Sequence, residues 1–445
     1  MLNSAITATF IATALALVGC VAPPQVQREP AGWSQAELET DLDTWLDWTR
    51  STHPAFELAV EQDAFGHQVD RVRAQIRNEM SVSEVWHTFA QLNPYLDDAH
   101  MGLDLPAAVR ESEAWRVEIE GARAYIPAGN PDEEREEIIA VNGASVSDMI
   151  VRTLPLLRGE SDTLRSRILE LRFGEFLALH LDGAMPAEIR LQGTDGTERV
   201  VTQISSTVSA SEAAPFDLLL VHSTAVMRID TFERDYEAAF TAFLEESFAR
   251  IESARATRLV IDLRGNGGGA HELSDRLLGY LTSERYTPMS AVRARVTEDN
   301  MGLIPGAEPG SVVAMPFAQW VEPVSPMGQL FDGEVIILVG PATYSQAIVF
   351  STIIQDFQLG SVAGEETEGK ANQTAQVQHF ELPRTGFDVR APLYVLTRAS
   401  GEESGAGVIP DIPWSNADGR SIEWIVEHLD RSSGEAVSTE LSLRQ

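Results

Sequence analysis

Apolar residues at helical spacing begin where the chain first becomes periodic. After Ser34, with Glu37 three residues on to complete a capping box, Leu38, Leu42, Trp45 and Leu46 fall on one helical face. Similar patterns over 68–77 and 82–92 predict a helical domain spanning 33–104, ending at the run Asp97-Asp98-Ala99-His100. From Arg116 to about 207 the pattern becomes that of short strands, with turn signals at Asn142-Gly143 and Asp195-Gly196; a helical stretch, 162–181, interrupts it. Beyond Phe216 strands at 225–229, 258–263 and 334–339 alternate with helices at 236–251, 272–281 and 346–357, which predicts an α/β core. The Pro- and Gly-rich stretch 291–328 reads as a long surface excursion. Strands return at Phe380, after polar residues 374–378, and a helix over 422–429 closes the fold. The expected divisions are a leader over 1–19, a tether over 20–32, the helical domain over 33–104, a strand-rich region over 105–210, the α/β core over 211–430 and a tail over 431–445.

The leader is apolar from Ala5 to Gly19 and ends in Leu17-Val18-Gly19-Cys20. It is short of the roughly 20 residues that span a bilayer. Small residues ahead of a cysteine instead fit a bacterial lipoprotein signal, in which the Cys20 thiol takes the lipid. The residues ahead of it, Met1 to Ser4, carry no Lys or Arg, a departure from that pattern. An ordinary secretory signal and a buried thiol are the competing readings. With Cys20 lipidated, the single cysteine of the chain offers neither a disulfide nor a nucleophile.

Charge narrows the partners. Sixty-seven acidic residues against 33 basic ones give a net charge of −34, which disfavours nucleic acid and anionic lipid surfaces. Of the 33 basic residues, 32 are Arg and one is Lys370.

Three places carry candidate chemistry. The strand Leu259–Leu263 runs into Arg264-Gly265-Asn266-Gly267-Gly268-Gly269, a turn able to aim backbone N–H groups at an anion. Gly265, Gly267 and Ala270 also satisfy a dinucleotide fingerprint, and a plain tight turn is a third possibility. The next strand leads to Thr343-Tyr344-Ser345-Gln346, where a serine at a helix start is either a nucleophile beside an oxyanion-binding amide or a simple N-cap. A serine nucleophile needs a base. His100 at the domain junction is one candidate, and with Asp97 and Asp98 it also makes a weak metal-site pattern; Lys370 is the other, since a buried amine can be tuned and a guanidinium cannot.

These residues resemble the tail-specific protease family, the carboxy-terminal processing peptidases, over roughly residues 35 to 425. The landmarks are the strand and glycines of Ile261–Gly268, the Thr343–Ala347 elbow, Gly364–Lys370 and Gly407–Ile412. The resemblance implies an α/β core of crotonase and Clp-protease type, with the helical domain at its N-terminal side and a PDZ-like module in the strand-rich region, signalled by Ile138–Val146. It also implies Ser345 as acyl-forming nucleophile and the Gly268 and Gln346 amides as oxyanion donors, with no cofactor and no metal. One branch of the family uses a Lys 25 residues after the Ser, the spacing of Lys370, supported by a Gln where this chain has Thr374. The tricorn-like and retinoid-binding-protein-like branch pairs a His with the Ser and adds a late Glu; Asp98-Ala99-His100-Met101, His53-Pro54 and Leu382-Pro383 resemble that branch, with Glu403 as the acid and Glu402 beside it. The expected function is a lipid-anchored endopeptidase of a Gram-negative cell envelope, acting on peptide or protein. A non-catalytic binding lipoprotein and an ester-cleaving acyl hydrolase are the competing classes.

Overall fold

The computed structural model describes residues 32–105, 109, 115, 117–126, 135–181, 188–202, 215–298, 300–304, 306–317, 319–324, 330–414 and 424–429. Cys20, the leader, the tether up to residue 31 and the tail lie outside the described residues.

The helical domain forms as its capping pattern predicts. Ser34 and Glu37 close a reciprocal box on helix Gln35–Thr52, and Ser81 and Glu84 do the same for Val82–Phe89. Leu38, Leu42, Trp45 and Leu46 are buried along one face of the first helix. The middle helix is longer than its apolar pattern, Gln62–Gln75, and Pro94 lies in a 3-10 segment, Ala90–Tyr95, that ends the last one.

The strand-rich region is an antiparallel sheet in the order Glu118–Glu120, Arg123–Ile126, Glu136–Val141, Ile189–Gln192, Glu198–Val201. The stretch 162–181 is two helices, Asp162–Leu171 and Phe173–His180, broken at Arg172. Both this region and the helical domain share one continuous hydrophobic core.

The α/β core is a six-stranded sheet ordered Ile412–Pro413, Ser361–Gly364, Glu334–Val339, Arg258–Asp262, Thr224–Ile229, Phe216–Val221. Only the last pair is antiparallel. Five of the six residues of Glu334–Val339 are buried, as expected for a parallel strand covered on both faces. Alternate residues face opposite layers. Leu259, Ile261, Val335 and Ile337 pack with the helices Glu237–Ala254, His271–Leu281 and Gln346–Asp356, while Val260, Ile336 and Leu338 pack with Trp414 and the helix 424–429.

A third sheet departs from expectation. The supposed excursion 291–328 contributes two paired strands, Ala291–Arg295 and Val312–Pro316, to a sheet built around the long strand Asp388–Thr397. The polar run 374–378 is likewise strand, Thr374–Glu381, because it pairs along the other edge of Asp388–Thr397. Gly102–Leu103 joins the same strand through Gly102 opposite Arg390. This sheet therefore brings the segment after His100 and the segment beginning at Thr374 to the same place.

Candidate active site

Ser345 ends the turn that follows Glu334–Val339. Buried Thr343 pins the turn, its hydroxyl donating to the Leu263 carbonyl at 2.8 Å and accepting from the Gly340 N–H at 3.0 Å. The Tyr344 N–H donates to the Asn266 carbonyl at 2.9 Å, tying the turn to the glycine loop. Ser345 itself has φ 53° and ψ −121°, a positive φ outside the helical minimum. Such backbone costs about 1–3 kcal/mol and persists only where the surroundings impose it. Its side chain makes no N-cap hydrogen bond to the helix that follows, so the capping reading fails.

The glycine loop lies directly against this turn. Gly268 has φ 100°, and a Cβ there would fall 2.6 Å from Ser345 Cβ and 2.8 Å from the Gln346 nitrogen. Gly268 is thus packed against residues 344–346, whereas a Cβ at Gly267 would meet open space. The Gly268 N–H donates to Asn266 Oδ1 at 2.8 Å, and Asn266, fully buried, is itself anchored on the Ile229 carbonyl at 3.0 Å.

His100 comes from the other side of the chain. Its Nε2 is 3.1 Å from Ser345 Oγ, and its Nδ1 is 2.9 Å from Thr374 Oγ1. The Thr374 hydroxyl donates to Asp98 Oδ2 at 2.8 Å, so its single proton is engaged and it accepts from Nδ1–H. That assigns the tautomer: Nε2 is left as the acceptor for the Ser345 hydroxyl. Asp98 also takes the His100 N–H on Oδ1 at 2.7 Å. Burial pulls the imidazole below its ordinary pKa; the Asp98 charge opposes this, and Arg158 and Arg390 reinforce it.

Lys370 does not share this arrangement. Its ammonium pairs with Asp97 Oδ2 at 3.0 Å, with both side chains about half exposed, and Ser345 Oγ is taken by the imidazole instead. Glu403 is exposed on the wall of an adjoining cleft of about 530 Å³, together with His53, Leu58, Asp97, Arg293 and Lys370. The groups at His100 Nδ1 are Thr374 and, at 3.7 Å, Asp98, so the carboxylate nearest the ring precedes the histidine by two residues rather than following the serine.

Sequence reasoning passed over Thr374 as a lost glutamine, although the position itself was the signal: the family places a supporting side chain there. Two further residues went unnoticed. The hydroxyl of buried Tyr344 lies 2.9 Å from Glu160 Oε1, and the Ala99 N–H approaches both the Tyr344 hydroxyl and Glu160 Oε2 at 3.2 Å.

Comparison with known proteins bears on the family and the fold. The sequence model for peptidase family S41 matches residues 223–414, a span that contains the glycine loop, Ser345, Lys370, Thr374 and Glu403. A tail-specific protease of Haemophilus influenzae is 23% identical over 234 residues, covering 50% of this chain and 29% of that protein, so the chain spans under a third of its relative's length. Among solved structures, mature CPAF complexed with lactacystin superposes with a TM-score of 0.55 at 14% identity, covering 85% of this chain and 94% of that one. A mutant of the same protein gives 0.57 at 14% identity over 85% and 93%. At such identity these two show a shared fold. The match to the peptidase family S41 model thus covers the half of the chain that carries Ser345, and the fold shared with CPAF extends over the half that carries His100.

Proposed function

We propose that the chain is a serine endopeptidase of the cell envelope that works through an acyl-enzyme on Ser345 with His100 as its base. The observation that carries the reading is the relay in which the Ser345 hydroxyl faces His100 Nε2 while Nδ1 is held by Thr374 and, through it, Asp98. Ser345 Oγ bonds to the peptide carbonyl carbon as its proton passes to Nε2. The oxyanion that forms is received by the Gln346 N–H at the helix start, joined by the Gly268 N–H on exchanging its Asn266 acceptor. Collapse breaks the C–N bond, the amine leaves with the proton from Nε2, and water repeats the sequence to release the acid. A base with a depressed pKa is neutral at neutral pH and ready to accept that proton.

In this reading Lys370 is a cleft residue whose charge is balanced by Asp97, and Glu403 is a rim carboxylate that contributes to substrate contacts. Lipidation at Cys20 would hold the enzyme at the membrane surface, and the sheet over 118–201 would serve as its PDZ-like module. The substrate is a peptide or protein.

The test uses a serine-reactive phosphonate and one peptide substrate. Native protein is expected to be labelled, and Ser345→Ala not. His100→Ala is expected to lose about 10²–10⁴ in turnover, the usual worth of a positioned base. Lys370→Arg, which keeps the ion pair, is expected to retain most activity; its inactivity with His100→Ala active would reverse the assignment.

A further inference from the structure

One turn, residues 157–161, grips the residue before the histidine from both ends. The Arg158 guanidinium donates to the Ala99 carbonyl at 3.0 Å, while Glu160 Oε2 accepts from the Ala99 N–H at 3.2 Å. The other oxygen of Glu160 reaches the Tyr344 hydroxyl at 2.9 Å, and Tyr344 is the neighbour of Ser345. A single carboxylate therefore contacts both segments of the proposed dyad, which stand 245 residues apart in the chain. The His100 and Tyr344 rings are themselves in contact, with centroids 4.9 Å apart.

We propose that Glu160 is a positioning residue, a clamp that fixes the His100 turn against the Ser345 turn and so sets the geometry of proton transfer. The inference rests on the Ser345–His100 reading above. No bond is made or broken at Glu160. Its part is to accept two hydrogen bonds at once, one on each oxygen, which the ionised form does with no acceptor site given up to a proton. Ionisation is resisted here. Burial first and then the Asp98 charge push its pKa up to about 7, against the opposing Tyr344 hydrogen bond and more distant Lys370 ammonium. Across the Ala99 peptide Arg158 supplies a third charge; the Tyr344 phenol, held well above its ordinary pKa by burial and then by Asp98 and Glu160, stays protonated, and the His100 ring lies against it. The folded state thus binds this proton more tightly than the unfolded chain. The stability it contributes is full below the ordinary carboxylate range and is lost as the pH rises through about 7.

Two variants in the full chain test the clamp: Glu160→Gln, close in shape but without charge, and Tyr344→Phe, which keeps the ring and removes the hydroxyl. Each is expected to lower kcat and the phosphonate labelling rate about tenfold with KM unchanged, as misplacement of a reacting pair does. Combined, they are expected to lose scarcely more than either alone, because both remove one clamp. Thermal melting supplies a readout that simple loss of packing would not move: the Tm of Glu160→Gln minus that of native protein is expected to climb between about pH 5 and about pH 8. Labelled native protein with variants at native rates, multiplying losses in the double variant, or a Tm difference flat with pH each overturns the clamp alone. A native protein that the phosphonate does not label overturns the serine reading, and the clamp with it.

Discussion

Ser345 is held where a side chain costs backbone energy, and the surroundings that hold it there, Thr343, Asn266 and Gly268, are all buried or backbone groups. Replacing it by glycine releases the strain, whereas alanine keeps it. Ser345→Gly is therefore expected to be more stable than Ser345→Ala by about 1 kcal/mol in urea unfolding, with both inactive. His100 carries a signed expectation as well. Its pKa lies below the ordinary imidazole value through burial, so the acid limb of kcat/KM is expected below that value. Asp98 favours the imidazolium, hence Asp98→Asn is expected to move the limb to still lower pH while reducing kcat, which a pH–rate profile reads directly. At this scale Ser345 and His100 were legible because each sits in a local motif. Thr374 was not, since its role depends on an imbalance it settles across the fold: a hydroxyl has to stand between Nδ1 and a carboxylate that lies 276 positions away.

Among elements, legibility followed burial. The strand Glu334–Val339 was read to the residue because its five buried positions make a continuous apolar run. The strand Thr374–Glu381 was read short: none of its side chains is fully buried, so neither face is marked by composition. The strands at 291–295 and 312–316 were hidden by the Pro and Gly among the residues between them, and 291–295 takes its place in the sheet from a partner strand about a hundred residues onward. The glycine loop yields an element-scale prediction. Its approach to the Ser345 turn leaves no room for a Cβ at Gly268, where one would meet Ser345 Cβ at 2.6 Å. Gly268→Ala is expected to leave the sheet folded by far-ultraviolet circular dichroism and to cut phosphonate labelling about 10²-fold or more, the usual cost of losing an oxyanion donor. Native labelling in that variant would show that the loop serves another purpose.

In the whole molecule, one buried carboxylate joins the parts. Asp104 follows the His100 turn and is contacted by Arg158 and Arg172 from the strand-rich region and Arg390 from the long strand of the third sheet. Burial works against its charge, but the three guanidinium groups outweigh it and hold the carboxyl well below its ordinary range. Stability from this node is present above the ordinary carboxylate pKa and is lost as the pH falls toward the depressed one. Asp104→Asn leaves three cations without their shared partner and is expected to cost about 3–5 kcal/mol near neutral pH, measured by urea unfolding, with the gap from native protein narrowing in acid.

The spread of the relay along the chain has a consequence for biosynthesis. A polypeptide is made from its N-terminal end, and the His100 imidazole waits for a threonine 274 residues later. Until that residue has emerged and the strand starting there has paired, no Thr374 hydroxyl holds Nδ1 and nothing on that side turns the ring toward Ser345. On the proposed reading, a copy of this chain cut short before Thr374 is expected to be inactive toward its neighbours and toward itself, with activity arriving only once the third sheet has closed.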